Sequence, residues 1–329
     1  MRKKLPKILV TGGAGFIGSA FVRTAAENGF RVSVIDKLTY AGDLRRLAGV
    51  GNKCIFHKID ICDGKKVARV FKEEQPGIVI HFAAESHVDR SIRDAEAFVD
   101  TNICGTKTLL DNSMKYGVRR FIHISTDEVY GDIKSGRFAE TSPLRPSSPY
   151  SATKAAADLL LNSYIRTYAF PGIIIRPCNN YGPWQYPEKF IPLAILRILR
   201  KEKIPVYGNG RNVREWLYVE DCAEAIFEVL EKGRLGQIYN LGSGEEKQNV
   251  EVAGIILKIM GAPSTMIEFV KDRLGHDIRY RLDSSKITSD TGWSSKIKFE
   301  AGLGLTMRWC FAHKKWLLSK WKNVAKLYR

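Results

Sequence analysis

Two tyrosines stand four residues ahead of a lysine, Tyr130 before Lys134 and Tyr150 before Lys154. A phenol beside an ammonium is a candidate base, because the positive charge favours the phenolate and lowers a pKa that is otherwise about 10. The two contexts differ. Tyr130 is followed by Gly131 and Asp132 at the end of an apolar run, where four-residue spacing gives no shared face, so that pair is read as structural. Tyr150 precedes SATKAAADLLLNSYI, an Ala- and Leu-rich stretch that predicts a helix, and residues four apart on a helix are neighbours. Tyr150, shifted towards neutrality by Lys154, is therefore the expected base for a substrate hydroxyl. Just ahead of Tyr130 lie Thr126, Asp127 and Glu128, a hydroxyl followed by adjacent carboxylates. Two such acids given opposite protonation duties need different environments, and the one that donates needs a raised pKa.

A third motif is TGGAGFIGS, Thr11 to Ser19, which holds Gly12-x-x-Gly15-x-x-Gly18 and also Gly13-x-Gly15-x-x-Gly18. It follows a strand-like run and opens a helix. Glycines there permit a tight turn and let a pyrophosphate reach the N–H groups of the helix N-terminus, where the macrodipole favours anions. Asp36 ends the second strand-like run, eighteen residues after Gly18. An acid at that place accepts hydrogen bonds from both adenosine ribose hydroxyls and repels a 2′-phosphate, so the expected cofactor is NAD rather than NADP.

The elements that would carry these groups follow from patterning. KILVTGG, RVSVID, CIFHKID, GIVIHFAA, RRFIHIST and GIIIRPCNN read as strands separated by helix-length segments, which predicts a parallel sheet buried on both faces and a doubly wound α/β fold. After Asn180, Pro- and Gly-marked turns suggest a smaller interleaved lobe. Asp221 to Lys232 reads as a helix and QIYNLGSG as a strand returning to the sheet. At 329 residues and 44% hydrophobic content the chain suits a soluble two-lobed protein, and with no apolar run of eighteen it is expected in the cytoplasm. Its six cysteines show no C-x-x-C pair, and His81 and His87 lack further ligands nearby, so no metal is expected. The net charge of +17 suits an anionic partner, yet nine Lys/Arg against one acid fall between Lys296 and Arg329, away from the motifs.

Taken together, the glycine turn and the Tyr-x-x-x-Lys about 135 residues after it resemble the extended short-chain dehydrogenase/reductases. STDEVYG, Ser125 to Gly131, narrows this to the dTDP-glucose 4,6-dehydratase family, as do DKLTYAGDL, AAESHVDRSI, SPYSATKAAAD, NNYGPWQYPEKFIP, PVYGNGRNVREWLYVED and RLGHDIRY, which span nearly the whole chain to about residue 290. The resemblance implies a hydro-lyase with a Rossmann-type fold. Tyr150 takes the proton of the sugar 4-hydroxyl, held by Thr126, while NAD oxidises carbon 4. Glu128 removes the proton of carbon 5, Asp127 protonates the departing 6-hydroxyl, and carbon 6 is then reduced. A 4-epimerase needs no such acid pair, and in related decarboxylases serine is expected at position 127. A uracil in place of thymine stays open, since one methyl group separates the bases.

By the same resemblance NAD is held by Gly12, Gly15, Phe16, Ile17, Gly18, Asp36, Lys37, Leu38, Thr39, Asp60, Ile61, Phe82, Ala83, Ala84, Ser86, Thr101, Tyr150, Lys154 and Asn180. The nucleotide sugar is held by Ser86, Thr126, Asn179, Lys189, Phe190, Pro205, Val206, Tyr207, Arg214, Asn249, Arg273 and His276, with the two arginines on the diphosphate. Residues 1–178 and 222–248 would form the NAD-binding domain, 179–221 and 249–308 the nucleotide-sugar lobe, and 309–329 a basic C-terminal helix. Glu215, Cys222 and Pro177 depart from the pattern, where Asp and His are usual at the first two. A homodimer built through the Tyr150 helix is expected, and no nucleic-acid partner. The tail, with Trp309, Trp316, Leu317, Trp321, Val324 and Tyr328 at roughly helical spacing, is expected to dock on its own domain rather than on a membrane.

Overall fold

The computed structural model describes residues 5–325. Its strands are β1 (Ile8–Thr11), β2 (Val32–Asp36), β3 (Cys54–Lys58), β4 (Ile78–His81), β5 (Arg120–Ile124), β6 (Gly172–Pro177), β7 (Asn179–Tyr181), β8 (Ile204–Tyr207), β9 (Val213–Tyr218), β10 (Ile238–Leu241), β11 (Glu246–Gln248) and β12 (Ile267–Val270). Between them run α1 (Phe16–Glu27), α2 (Gly64–Glu74), α3 (Val88–Arg93), α4 (Glu96–Phe98), α5 (Thr106–Lys115), α6 (Pro149–Tyr168), α7 (Phe190–Leu199), α8 (Val219–Lys232), α9 (Asn249–Met260), α10 (Ser285–Thr291), α11 (Phe299–Ala312), α12 (Lys314–Ser319) and α13 (Trp321–Ala325).

Seven strands form one parallel sheet in the order β10-β6-β5-β4-β1-β2-β3. The order reverses at β1 and β4, the crevice where doubly wound sheets bind ligands beyond their strand ends. The apolar runs are continuous because both faces are covered. Ile8 and Val10 join a core with α1 and α8, while Leu9 and Ile35 face Val67, Phe71, Leu109 and Leu161 on the opposite side. A separate core gathers α7, α9, β9, α11 and α12 around Trp216, Ile256, Phe299 and Leu317.

Two expectations need adjustment. GIIIRPCNN is not one strand: β6 pairs with β10 as far as Pro177, the Cys178 amide then donates to Leu241 O, and β7 leaves to pair with β9 in a three-stranded sheet. The helix expected from Asp221 opens two residues earlier, after the extended Tyr218. Helix α6 begins where Ser148 accepts from the Ser151 amide, Ser151 returns the bond to the Ser148 amide, and Pro149 supplies a fixed φ at the first turn. That reciprocal cap fixes Tyr150 in the first turn of the helix. Among the described residues no helix is long and apolar enough to cross a membrane, and no group of three or more His, Cys, Asp or Glu is placed to hold a metal.

Candidate active site

At the end of β1 the chain turns through Gly12, whose φ is +70° and where an added Cβ would sit 2.6 Å from the Ala83 nitrogen. Helix α1 then opens at Gly15 without a side-chain cap, leaving its first amides for a ligand. Beyond the turn lies a cavity of about 350 Å³. Asp36 borders it with its carboxylate fixed from behind, Oδ2 accepting from the Ala14 amide at 3.0 Å and Oδ1 from the Leu38 amide at 2.8 Å. A glycine cradle, bare helix amides and a ribose-side acid fit a dinucleotide. Gly12→Ala is expected to weaken NAD binding at least about tenfold, since the backbone strain alone is about 1–3 kcal/mol and falls where the pyrophosphate approaches; calorimetric titration checks it.

Of the residues expected around the cofactor, Gly12, Gly15, Phe16, Ile17, Gly18, Asp36, Lys37, Thr39, Asp60, Ile61, Phe82, Ala83, Ala84, Ser86, Thr101, Tyr150, Lys154 and Asn180 all line this cavity. Leu38 does not: it turns the chain at φ 56°, and its contribution is the amide that holds Asp36. The cavity also takes in Arg46, Gln185, Tyr186, Glu188 and Trp216, which sequence reasoning missed.

The reactive groups meet at the floor of the same cavity. Thr126 caps a 3₁₀ turn, Asp127–Tyr130, its Oγ1 accepting from the Glu128 amide and donating to Asp127 Oδ1 at 3.2 Å. Asp127 is buried and its Oδ2 has no hydrogen-bond partner among the described residues; burial and the Glu128 charge push its carboxyl well above the ordinary value. Burial also raises Glu128, but Arg273, Arg214 and Lys189 pull it back. Adjacent carboxyls thus sit in unequal fields, with the stronger upward push on Asp127.

Tyr150 lies in the first turn of α6. Its phenol is hydrogen-bonded to Thr126, yet burial, followed by the Glu128 and Asp127 charges, raises its pKa. Lys154, four residues on, points its ammonium into the sheet, donating to Ile124 O at 2.7 Å and standing 3.4 Å from His123 Nε2. Burial lowers Lys154 to about 8, with Asp158 opposing. Beneath it His123 lies 3.6 Å from Asp158, Asp158 accepts from Arg176 Nε at 2.9 Å, and Arg176 donates to Tyr130. Tyr130, stacked on Phe138, is structural as its sequence context implied. His81 and His87 are apart in role, His81 lying between Thr11 and Thr106 and His87 facing Glu188.

A second cavity of about 160 Å³ adjoins the first and shares Glu128, Asn179, Glu188, Lys189, Phe190 and Trp216 with it. Its remaining lining includes Pro205, Val206, Tyr207, Arg214, Asn249, Arg273 and His276, all expected around the nucleotide sugar; Ser86 and Thr126 lie on the first cavity. Arg214 is partly committed already, donating to Val213 O and Asp277 O and lying over the Tyr280 ring at 4.3 Å. The departures are accommodated: Glu215 accepts from the Gly244 and Leu282 amides, and buried Cys222 is bonded to Asn180.

Residues 9–306 match the sequence model of the family described as GDP-mannose 4,6 dehydratase. The dTDP-glucose 4,6-dehydratase of Neisseria meningitidis serogroup B is 46% identical over 343 residues, covering 97% of this chain and 96% of that one. The low-salt glycan biosynthesis protein Agl12 of Haloferax volcanii is 50% identical over 299 residues, covering 90% and 96%. Among solved structures, the dTDP-glucose 4,6-dehydratase DesIV of Streptomyces venezuelae, with NAD and dTDP bound, superposes with a TM-score of 0.91 at 46% identity, covering 94% of this chain and 98% of that one. With the glycine turn, the Thr-Asp-Glu turn and the Tyr150 helix arranged around one cavity, the chain belongs to the dTDP-glucose 4,6-dehydratase family of NAD-dependent nucleotide-sugar dehydratases.

Proposed function

We propose that this chain converts dTDP-glucose into dTDP-4-keto-6-deoxyglucose. The observation that carries the reading is the Thr126–Glu128 turn, which sets a buried Asp127 beside Glu128 at the junction of the two cavities and within reach of Tyr150. NAD would be held along the glycine turn and Asp36, and its chemistry would be that of a reversible hydride acceptor, serving both the oxidation at carbon 4 and the reduction at carbon 6. Tyr150 takes the 4-hydroxyl proton, with Thr126 positioning that hydroxyl. Once carbon 4 is a ketone the hydrogen on carbon 5 is acidic, and Glu128, offset by three cations, receives it. Asp127 gives its proton to the 6-hydroxyl, which leaves as water. Arg214, Arg273, Lys189 and His276 line the cavity that would take the diphosphate and nucleoside, with Pro205, Val206, Tyr207 and Asn249.

The phenol needs help from positive charge, because burial and the Glu128 charge raise its pKa. Lys154 and the cofactor's cationic ring are the sources of that help. Activity is therefore expected to be full while Lys154 keeps its proton and to fall as pH rises through about 8, the value to which burial lowers it. A pH profile of kcat that stays flat well above 8 would contradict this.

We assign residues 1–178 and 222–248 to the cofactor domain and 179–221 and 249–308 to the sugar-nucleotide lobe; the basic C-terminal helix expected over 309–329 is not one helix, its described residues falling in the end of α11, α12 and α13, while 326–329 lie outside the described residues. Pairing of two chains through α5 and α6 is supported by exposed Met114 and Leu159, and a reducing cytoplasmic setting by six cysteines without a disulfide. Incubation with dTDP-glucose and with UDP-glucose, followed by the alkali-induced absorbance of a 4-keto sugar, tests the reaction. Turnover of UDP-glucose alone would move the assignment to the uracil nucleotide, and a product keeping its 6-hydroxyl would move it to an epimerase or decarboxylase.

A further inference from the structure

The Trp-rich tail does more than cover apolar surface. Trp316 on α12 places its indole Nε1 2.8 Å from Asp43 Oδ2, a contact spanning 273 residues of sequence, and Lys320 stands 3.5 Å from the same oxygen. Asp43 belongs to the loop that follows Asp36. Its amide donates to Ala14 O in the glycine turn, and its carboxylate also binds the Arg45 guanidinium and amide. Three residues on, fully buried Arg46 donates to Ala14 O at 2.8 Å, to Ala41 O, and to Trp184 O at 2.7 Å. One carboxylate and one guanidinium therefore tie the glycine turn, the loop after Asp36 and the segment at Trp184 together.

The tail grips the other member of this set too. Trp184 holds a φ of 68°, costly for a large side chain, and its ring is packed by Trp309 at 4.8 Å and Trp316 at 5.4 Å. Val324 on α13 packs with Tyr186, Tyr40 and Ala41. Ala41, Gly42, Arg46, Gln185 and Tyr186 line the cofactor cavity, so both loops walling one side of it are backed by α11 to α13.

We infer that Trp316 is a positioning residue for the dinucleotide: its hydrogen bond to Asp43 clasps the tail onto the loop beside the glycine turn and slows loss of the cofactor. The inference rests on reading the larger cavity as the NAD site. A buried hydrogen bond to a carboxylate is among the stronger single contacts, and its loss frees a loop that the ligand must then order.

The test compares Trp316→Phe, which keeps a ring but removes the donor, with Trp309→Phe, which trims the same aromatic cluster without touching Asp43. Cofactor-stripped proteins are titrated with NAD by calorimetry, and their melting temperatures are recorded without ligand. Expected is a loss of about tenfold in NAD affinity for Trp316→Phe, wild-type affinity for Trp309→Phe, and a lowered melting temperature in both. Asp43→Asn, which weakens the contact from the other side, is expected to follow Trp316→Phe and serves where that variant fails to fold. Wild-type affinity in both Trp316→Phe and Asp43→Asn, or an equal loss in Trp309→Phe, would reduce the tail to a stability element and overturn the inference. Failure of the unaltered chain to take up NAD would overturn the reading of the cavity along with it.

Discussion

Tyr150→Phe is expected to lower kcat by about 10²–10⁴-fold, the usual worth of a positioned general base, while the nucleotide sugar still binds. The phenylalanine ring fills the same buried space beside Phe98, so the fold of the α6 N-terminus should persist. What disappears is the phenol oxygen that is hydrogen-bonded to Thr126, and without a proton acceptor carbon 4 cannot be oxidised. The defect should appear at the first half-reaction. In single-turnover mixing, the absorbance of reduced nicotinamide should fail to rise with the variant. A rise as fast as that of the unaltered enzyme would show that another group takes the proton, and His123, sealed in the sheet and absent from the cavity lining, is poorly placed to do so.

Asp127→Asn and Glu128→Gln are expected to act later, slowing loss of water by about 10²-fold or more while leaving oxidation at carbon 4 partly intact. The reason lies in their unequal surroundings. Burial and the neighbouring charge push Asp127 well above the ordinary carboxyl value, whereas the rise that burial imposes on Glu128 is opposed by Arg273, Arg214 and Lys189. An amide at 127 has no proton to give a departing hydroxyl, and an amide at 128 cannot receive one. Either block should leave the cofactor reduced after the first step, so reduced nicotinamide should build up in the variants and not in the parent. Water release at the parental rate in both variants, followed by mass spectrometry in single turnover, would refute the division of labour.

The sheet was legible because burial on both faces leaves an unbroken apolar signature, and five of the six strand runs expected ahead of Asn180 formed as single strands. GIIIRPCNN broke because Pro177 carries no amide to continue a ladder, and Cys178 passes its own bond to β10, a partner no local pattern reveals. Motif residues fell around one cavity since glycine turns and cap-flanked helices are local. Glu188, Trp216 and Arg46 were missed for the opposite reason: each reaches the cavity only through tertiary approach, although Glu188 sits next to Lys189 in a segment already singled out. Spacing shows that Lys154 is near Tyr150 but not that its ammonium turns towards Ile124. Sequence distance carries no record of burial.

The stack of charges under Lys154 bears on whether this catalytic motif can be moved. Lys154 and Asp158 come from α6, but His123 comes from β5 and Arg176 from β6, and all four are sealed from water. Burial and the surrounding cations push His123 well below the ordinary imidazole value, so one carboxylate is shared between two cations, an ammonium and a guanidinium. A Tyr-x-x-x-Lys helix grafted onto another scaffold would bring the phenol and the lysine without the strands that partition that carboxylate. Its lysine would then either shed its proton in a dry interior or draw in water. The portable unit is two strands and a helix, and a designer who copies five residues copies only the visible part of it.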